Sequence, residues 1–194
     1  MARENPELAK VHVIGRSFEG REIYALQINT DRGSLARGQS NKPGAIYLGT
    51  HHAREHLSTE IPLRLANYLL QNKADPKISA LLDSRDVWFV PLVNPDGSEH
   101  DISTGNYKSW RKNRRPNGDG TFGVDLNRNY GYRWGTGGSS TNTNSDVYMG
   151  QAPFSEPETQ VVKSFVESHL NAKILLSFHT FSELILYPWG NTYD

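Results

Sequence analysis

The stretch Ala45-Ile46-Tyr47-Leu48-Gly49-Thr50-His51-His52-Ala53-Arg54-Glu55-His56 sets a short apolar run against three imidazoles and a carboxylate. Ala45 to Leu48, ending at Gly49, reads as a strand. The polar cluster then falls just past the carboxyl end of that strand, where α/β sheets place their ligand sites. Working outward, Ile61, Leu65, Tyr68 and Leu69 recur at helical spacing, and Ser58 and Pro62 suit a first helical turn. Ile78 to Leu82 suggests a short second helix, followed by the strand Val87-Trp88-Phe89-Val90 and the turn Asn94-Pro95-Asp96-Gly97. Upstream, Val11 to Ile14 and Glu22 to Ile28 look like strands around the turn Ser17-Phe18-Glu19-Gly20. Downstream, Ser155-Glu156-Pro157-Glu158 has the form of a capping box, with Val162, Phe165 and Val166 as the apolar face of the helix it opens. Lys173 to Phe178 is a buried-type strand leading to His179. Strands alternating with helices predict an α/β class: a mixed, partly parallel sheet flanked by helices.

The 194 residues fit one domain. Lys plus Arg (21) balances Asp plus Glu (21), which argues against a nucleic-acid partner, since such binders need a basic excess to displace counterions. Without cysteine there is neither a disulfide nor a thiolate, so any metal must be held by His, Asp and Glu. No run approaches the ~20 apolar residues of a membrane span, and no membrane partner is expected.

Residues 98–146 are polar and rich in Gly, Asn and Ser, ending in Gly135-Thr136-Gly137-Gly138-Ser139-Ser140-Thr141-Asn142. That composition suits a linker, but the residues within it favour a long functional loop. In the His-rich cluster two metal geometries compete. His52 and Glu55, three apart, can converge on one ion. His52 and His56, four apart, would need a helix and lack the intervening catalytic Glu of a His-Glu-x-x-His site, which counts against them.

Thr50-His51-His52-Ala53-Arg54-Glu55 resembles the zinc motif of the carboxypeptidase A-like zinc carboxypeptidase family. The likeness continues in order through Asn94-Pro95-Asp96-Gly97, Trp110-Arg111-Lys112-Asn113-Arg114, Val124-Asp125-Leu126-Asn127-Arg128-Asn129 and Ser177-Phe178-His179. Within the family it is strongest towards a bacterial branch, and it covers the chain roughly from Val13 to Tyr187.

The resemblance implies one Zn²⁺ held by His52, Glu55 and His179, leaving a fourth position for water as in catalytic rather than structural sites. It makes Asp125 the carboxylate behind His52, fixing that ring's tautomer. It assigns Asn127 and Arg128 to the substrate's terminal carboxylate, Arg54 to the incoming substrate, and Arg111 to the scissile carbonyl and its oxyanion. The implied substrate is the C-terminus of a peptide or protein, and the implied setting extracellular. The resemblance also implies cis peptides at Thr180-Phe181 and Pro188-Trp189.

Family members continue past the strand that carries the third ligand, so residues 1–194 are expected to form a single, incomplete catalytic domain, short at both ends. Glu156, Glu158 and Glu183 lie in no segment resembling the family's general-base motif. The functional expectation is therefore hydrolysis of C-terminal peptide bonds by zinc-activated water, with the general-base segment missing. Its alternatives are a catalytically inactive zinc and peptide-carboxylate binding fragment, and a related zinc amidohydrolase acting on a small acyl-amino acid or a cell-wall peptide.

Overall fold

The computed structural model describes residues 1–188; the Pro188-Trp189 bond lies outside them. Strands β1 (Ala9–Arg16) and β2 (Glu22–Ile28) form an antiparallel hairpin. They are followed by β3 (Gly44–Leu48), β4 (Asp86–Val90) and β5 (Ala172–Ser177). Among the described residues these make one mixed sheet in the order β1-β2-β4-β3-β5. β2 pairs antiparallel with β4, whereas β3 runs parallel to both β4 and β5. The partly parallel sheet expected from the alternation of elements is therefore present.

The two faces of the sheet carry separate cores. On one, α5 (Pro157–Glu167) lays Val162 and Phe165 over Ile23, Ala25, Ile46, Leu48, Trp88 and Val90. On the other, α2 (Leu57–Gln71) and α3 (Pro76–Ser84) pack Ala66, Leu69, Leu70 and Leu82 against Leu26, Ile28, Val87 and Phe89. β4 is central and buried along its whole length, as expected of a strand covered on both faces.

Several local expectations are corrected. The buried stripe of α2 is Pro62, Ala66, Leu69 and Leu70, while Ile61 and Tyr68 are exposed: the sheet covers a face rotated from the one the apolar spacing marks, and because the helix begins at Leu57, Pro62 lies inside it. Asn94-Pro95-Asp96-Gly97 opens a helix, α4 (Pro95–Ile102), in which Asn94 caps the Gly97 N–H at 3.0 Å. A short helix over Arg32–Arg37, α1, is capped by Asp31 and was not expected from periodicity. The capping box of α5 does not close: Glu158 accepts instead from the Phe18 N–H in the β1–β2 turn at 2.9 Å. Satisfaction of a half-buried backbone donor far along the chain wins over the local cap.

The buried reading of Lys173 to Phe178 also fails. β5 is the outer strand, and Ile174, Leu175 and Leu176 are 54%, 45% and 47% exposed. The apolar pattern is real, but among the described residues only β3 pairs with this strand.

Candidate metal and substrate site

The site forms where two parallel strands end side by side. Leu48 of β3 is in register with Ser177 of β5, and the Phe178 N–H donates to the Leu48 carbonyl at 2.8 Å. The chain leaving β3 therefore meets the chain leaving β5, and residues 51–55 come together with residue 179.

A tight reversal aims the first segment. The Thr50 backbone has φ +53°, uncommon for a β-branched residue and a form of local strain found at functional sites. Ser58 Oγ accepts the Thr50 N–H at 3.0 Å, and the Thr50 and Thr59 hydroxyls meet at 2.5 Å. Farther on, the Ala53 N–H donates to the Arg111 carbonyl at 3.0 Å, tying the motif to the long loop.

His52 Nδ1 lies 2.7 Å from Glu55 Oε1, His179 Nδ1 lies 2.9 Å from Glu55 Oε2, and the two Nδ1 atoms are 3.1 Å apart. One donor atom from each of the three residues falls within 4.8 Å of the others. Two imidazoles and one carboxylate around a common point are the donor set of a catalytic zinc site, and the residues fit that ion. His56 goes elsewhere, its Nε2 pairing with Asp101 Oδ2 at 2.7 Å. Of the two geometries left open by spacing, the fold adopts the one with Glu55.

Burial disfavours charge on Glu55, but hydrogen bonds from His179 and His52 outweigh it and hold the carboxyl well below the usual carboxylate range. Burial likewise works against protonation of His52, and Asp125 and Glu55 overcome it, raising the imidazole. For His51 the balance falls the other way: burial, with His179 and His52 nearby, outweighs the pull of Asp125 and Glu55 and drives it down to about 3, so its ring is neutral.

Asp125 is fully buried behind the cluster, and its carboxylate reaches three partners. Oδ1 lies 3.2 Å from His52 Nε2, at ion-pair distance although the ring N–H is not well aimed at it. The same oxygen accepts the Asn127 N–H at 3.0 Å, capping a single 3-10 turn over Leu126–Arg128. Oδ2 takes Arg111 through Nε at 3.1 Å and Nη2 at 2.9 Å. Burial opposes ionisation of Asp125, but His52 and then Arg111 and Arg128 more than compensate, lowering its pKa.

The remaining expected residues lie at the edge of this arrangement. Asn127 is exposed, and Arg128 is anchored by the Gly138 and Asn127 carbonyls at 2.7 and 3.1 Å. Arg54 donates to Asp146 at 3.0 Å and to the Ser109 carbonyl at 3.3 Å. Asp146 and Ser177 were not singled out from sequence. Asp146 carries no motif signal; Ser177 stands two residues before His179, on the same side of an extended chain. Glu156 and Glu158 are buried away from the cluster and accept from Asn113, with Arg115 joining Glu156.

A family model described as "Zinc carboxypeptidase" matches residues 1–194. The chain belongs to the zinc carboxypeptidase family. It is 37% identical to a zinc carboxypeptidase of Saccharothrix mutabilis subsp. capreolus over 98% of this chain and 44% of that protein. It is 36% identical to carboxypeptidase A1 of Rattus norvegicus over 99% of this chain, again 44% of the relative. The crystal structure of carboxypeptidase A from Helicoverpa armigera superposes with a TM-score of 0.80 at 36% identity, over 96% of this chain and 44% of that one. The chain thus spans somewhat less than half the length of these three relatives.

Proposed function

We propose that this chain carries the metal centre and the carboxylate-binding surface of a metallocarboxypeptidase that cleaves the C-terminal residue from peptides, within a single catalytic domain. The observation that carries the reading is the convergence of His52, Glu55 and His179 beyond the ends of β3 and β5. Zinc bound there would supply Lewis acidity and bring the pKa of a water to near ~7. The chain's own residues would do the rest. Arg128, with its guanidinium steadied by two carbonyls, and Asn127 beside it would take the terminal carboxylate, so that only a free C-terminus is held in place. Arg54 would meet the incoming substrate. Arg111, gripped by Asp125 through Nε and Nη2, would present its remaining edge to the scissile carbonyl as negative charge develops there.

We further propose that the proton is taken from water by a base outside the described residues, because Glu156 and Glu158 are committed to buried partners and Glu55 and Asp125 to the metal histidines. A positioned base is worth about 10²- to 10⁴-fold. Residues 1–194 alone should then bind zinc and free C-termini while turning over slightly at most.

The test is a panel of matched peptides with free and amidated C-termini, measured for binding by calorimetry and for hydrolysis, with and without zinc. Zinc-dependent preference for free C-termini supports the reading. Indifference to amidation removes it and favours the amidohydrolase or a plain zinc-binding fragment; full turnover by the 194-residue chain would show that one of its own carboxylates serves as base.

A further inference from the structure

We propose that Tyr130, His51 and Ser177 form a hydrogen-bonded relay that sets the tautomer of His179 and so presents its Nδ1 to the metal; this rests on the metal reading above. The support found for His52 is Asp125, but among the described residues the partner of the far nitrogen of His179 is a hydroxyl and not a carboxylate. Its Nε2 lies 3.2 Å from Ser177 Oγ. Ser177 Oγ is in turn 3.3 Å from His51 Nδ1, and His51 Nε2 is 2.7 Å from the Tyr130 hydroxyl. The rings of His51 and His179 lie nearly parallel, 20° apart in plane with centroids 5.9 Å apart.

One proton order makes the chain continuous from His179 to Tyr130 when His179 binds through Nδ1. That nitrogen must offer a lone pair, so the proton sits on Nε2 and is donated to Ser177 Oγ. A hydroxyl that accepts from one side can donate to the other, here to His51 Nδ1. A neutral imidazole that accepts at Nδ1 carries its proton at Nε2, and this is donated to the Tyr130 oxygen. His51 is 2% exposed and borders a cavity of about 390 Å³ whose walls include Leu48, Phe154 and Val162, so the serine and tyrosine supply the polar partners a buried ring requires. His51 is thereby a positioning residue, which accounts for the imidazole of the motif that is neither ligand nor paired with a carboxylate. The three residues come from three places: the turn after β3, the chain after the 3-10 turn, and the end of β5. The relay can exist only when these are assembled.

The experiment measures zinc affinity by chelator competition for the wild-type chain, Ser177→Ala, Ser177→Thr, Tyr130→Phe and the Ser177→Ala/Tyr130→Phe double variant, with melting of each metal-free chain as the folding control. Partners that orient a metal histidine typically cost 10- to 100-fold in metal affinity when removed. Ser177→Ala should weaken zinc about 10-fold with an unchanged metal-free melt, and Ser177→Thr should restore most of it. Tyr130→Phe should act in the same direction and add little to Ser177→Ala, because both break one chain. In the zinc-loaded protein, ¹⁵N shifts should show His51 protonated at Nε2. Wild-type affinity in Ser177→Ala, or His51 protonated at Nδ1, overturns the relay alone. A wild-type chain that takes up no zinc overturns the metal reading and the relay with it.

Discussion

Asp125 grips Arg111 through both Nε and Nη2 on one carboxylate oxygen, at 3.1 and 2.9 Å, while its other oxygen faces His52 Nε2 at 3.2 Å. A single buried charge therefore orients both the proposed metal ligand His52 and the arginine proposed to meet the oxyanion. Asp125→Asn should weaken zinc by about 10- to 100-fold, since it halves the support of His52. It should also loosen Arg111, which would show in turnover beyond what saturating zinc restores. Chelator competition and activity at saturating zinc, in the longest active form of the protein, separate the two effects.

The proposed carboxylate clamp gives a prediction with an internal control. Arg128→Ala removes the guanidinium that the Gly138 and Asn127 carbonyls hold in place. A hydrogen bond to a charged group is worth about 1.5–3 kcal/mol, so affinity for a peptide with a free C-terminus should fall about 10- to 100-fold. Affinity for the amidated peptide should hardly move. Calorimetry on the matched pair decides.

Glu158 gives the chain an unusual pH response. Burial raises its carboxyl to about 7, against hydrogen bonds from the Phe18 N–H and Asn113 that favour the charge. Between its ordinary value of 4.5 and about 7 the folded chain holds a proton that the unfolded chain releases. The stability this provides is complete below 4.5 and is lost as pH rises through 7, by at most on the order of 3 kcal/mol. Glu158→Gln should flatten that part of the profile, so the difference between wild-type and variant melts should grow from pH 5 to pH 8.

Gly49 stands where β3 passes beneath α2. A Cβ there would lie 2.3 Å from the Ser58 carbonyl oxygen and 2.6 Å from that of Pro91, both backbone atoms with little room to retreat. Gly49→Ala should cost about 1–3 kcal/mol and displace Thr50, His51 and His52. Denaturant melts read the first effect and zinc affinity the second; a variant with wild-type values for both would mean the close approach is softer than it looks.

The outer strand predicts behaviour of the isolated 194-residue chain. Its outer backbone edge, unpaired among the described residues, and the exposed Ile174, Leu175 and Leu176 form a template for pairing and apolar contact. Sedimentation should show self-association that grows with concentration, and Leu175→Lys should reduce it. A monomer at every concentration would count against this.

How much of this was written in the sequence differs from residue to residue. Ala45 to Leu48 and Val87 to Val90 were legible as strands because each is a short apolar run bounded by polar or turn-forming residues, a local signal. His52, Glu55 and His179 were legible as a set only through resemblance. Spacing alone left His56 in competition with Glu55, and the contest was decided by Asp101, 45 residues away, which draws His56 aside. The stripe of α2 was misplaced because periodicity fixes the period of a helix but not which side the sheet will cover. The capping box of α5 failed because Glu158 had a distant backbone donor to satisfy at Phe18.

By itself the sequence determined the alternation of elements, the inventory of metal-binding side chains and the absence of any thiolate among them. Only the tertiary structure decided that β3 and β5 lie side by side in register, and with that where His52 and His179 meet, what Asp125 holds, and that Ser177 links His51 to His179. The physical reason is one of range. Apolar period and turn chemistry act over a few residues, whereas His179 stands 127 positions from His52 and Ser177 stands 126 from His51, and their meeting depends on how the whole sheet is ordered.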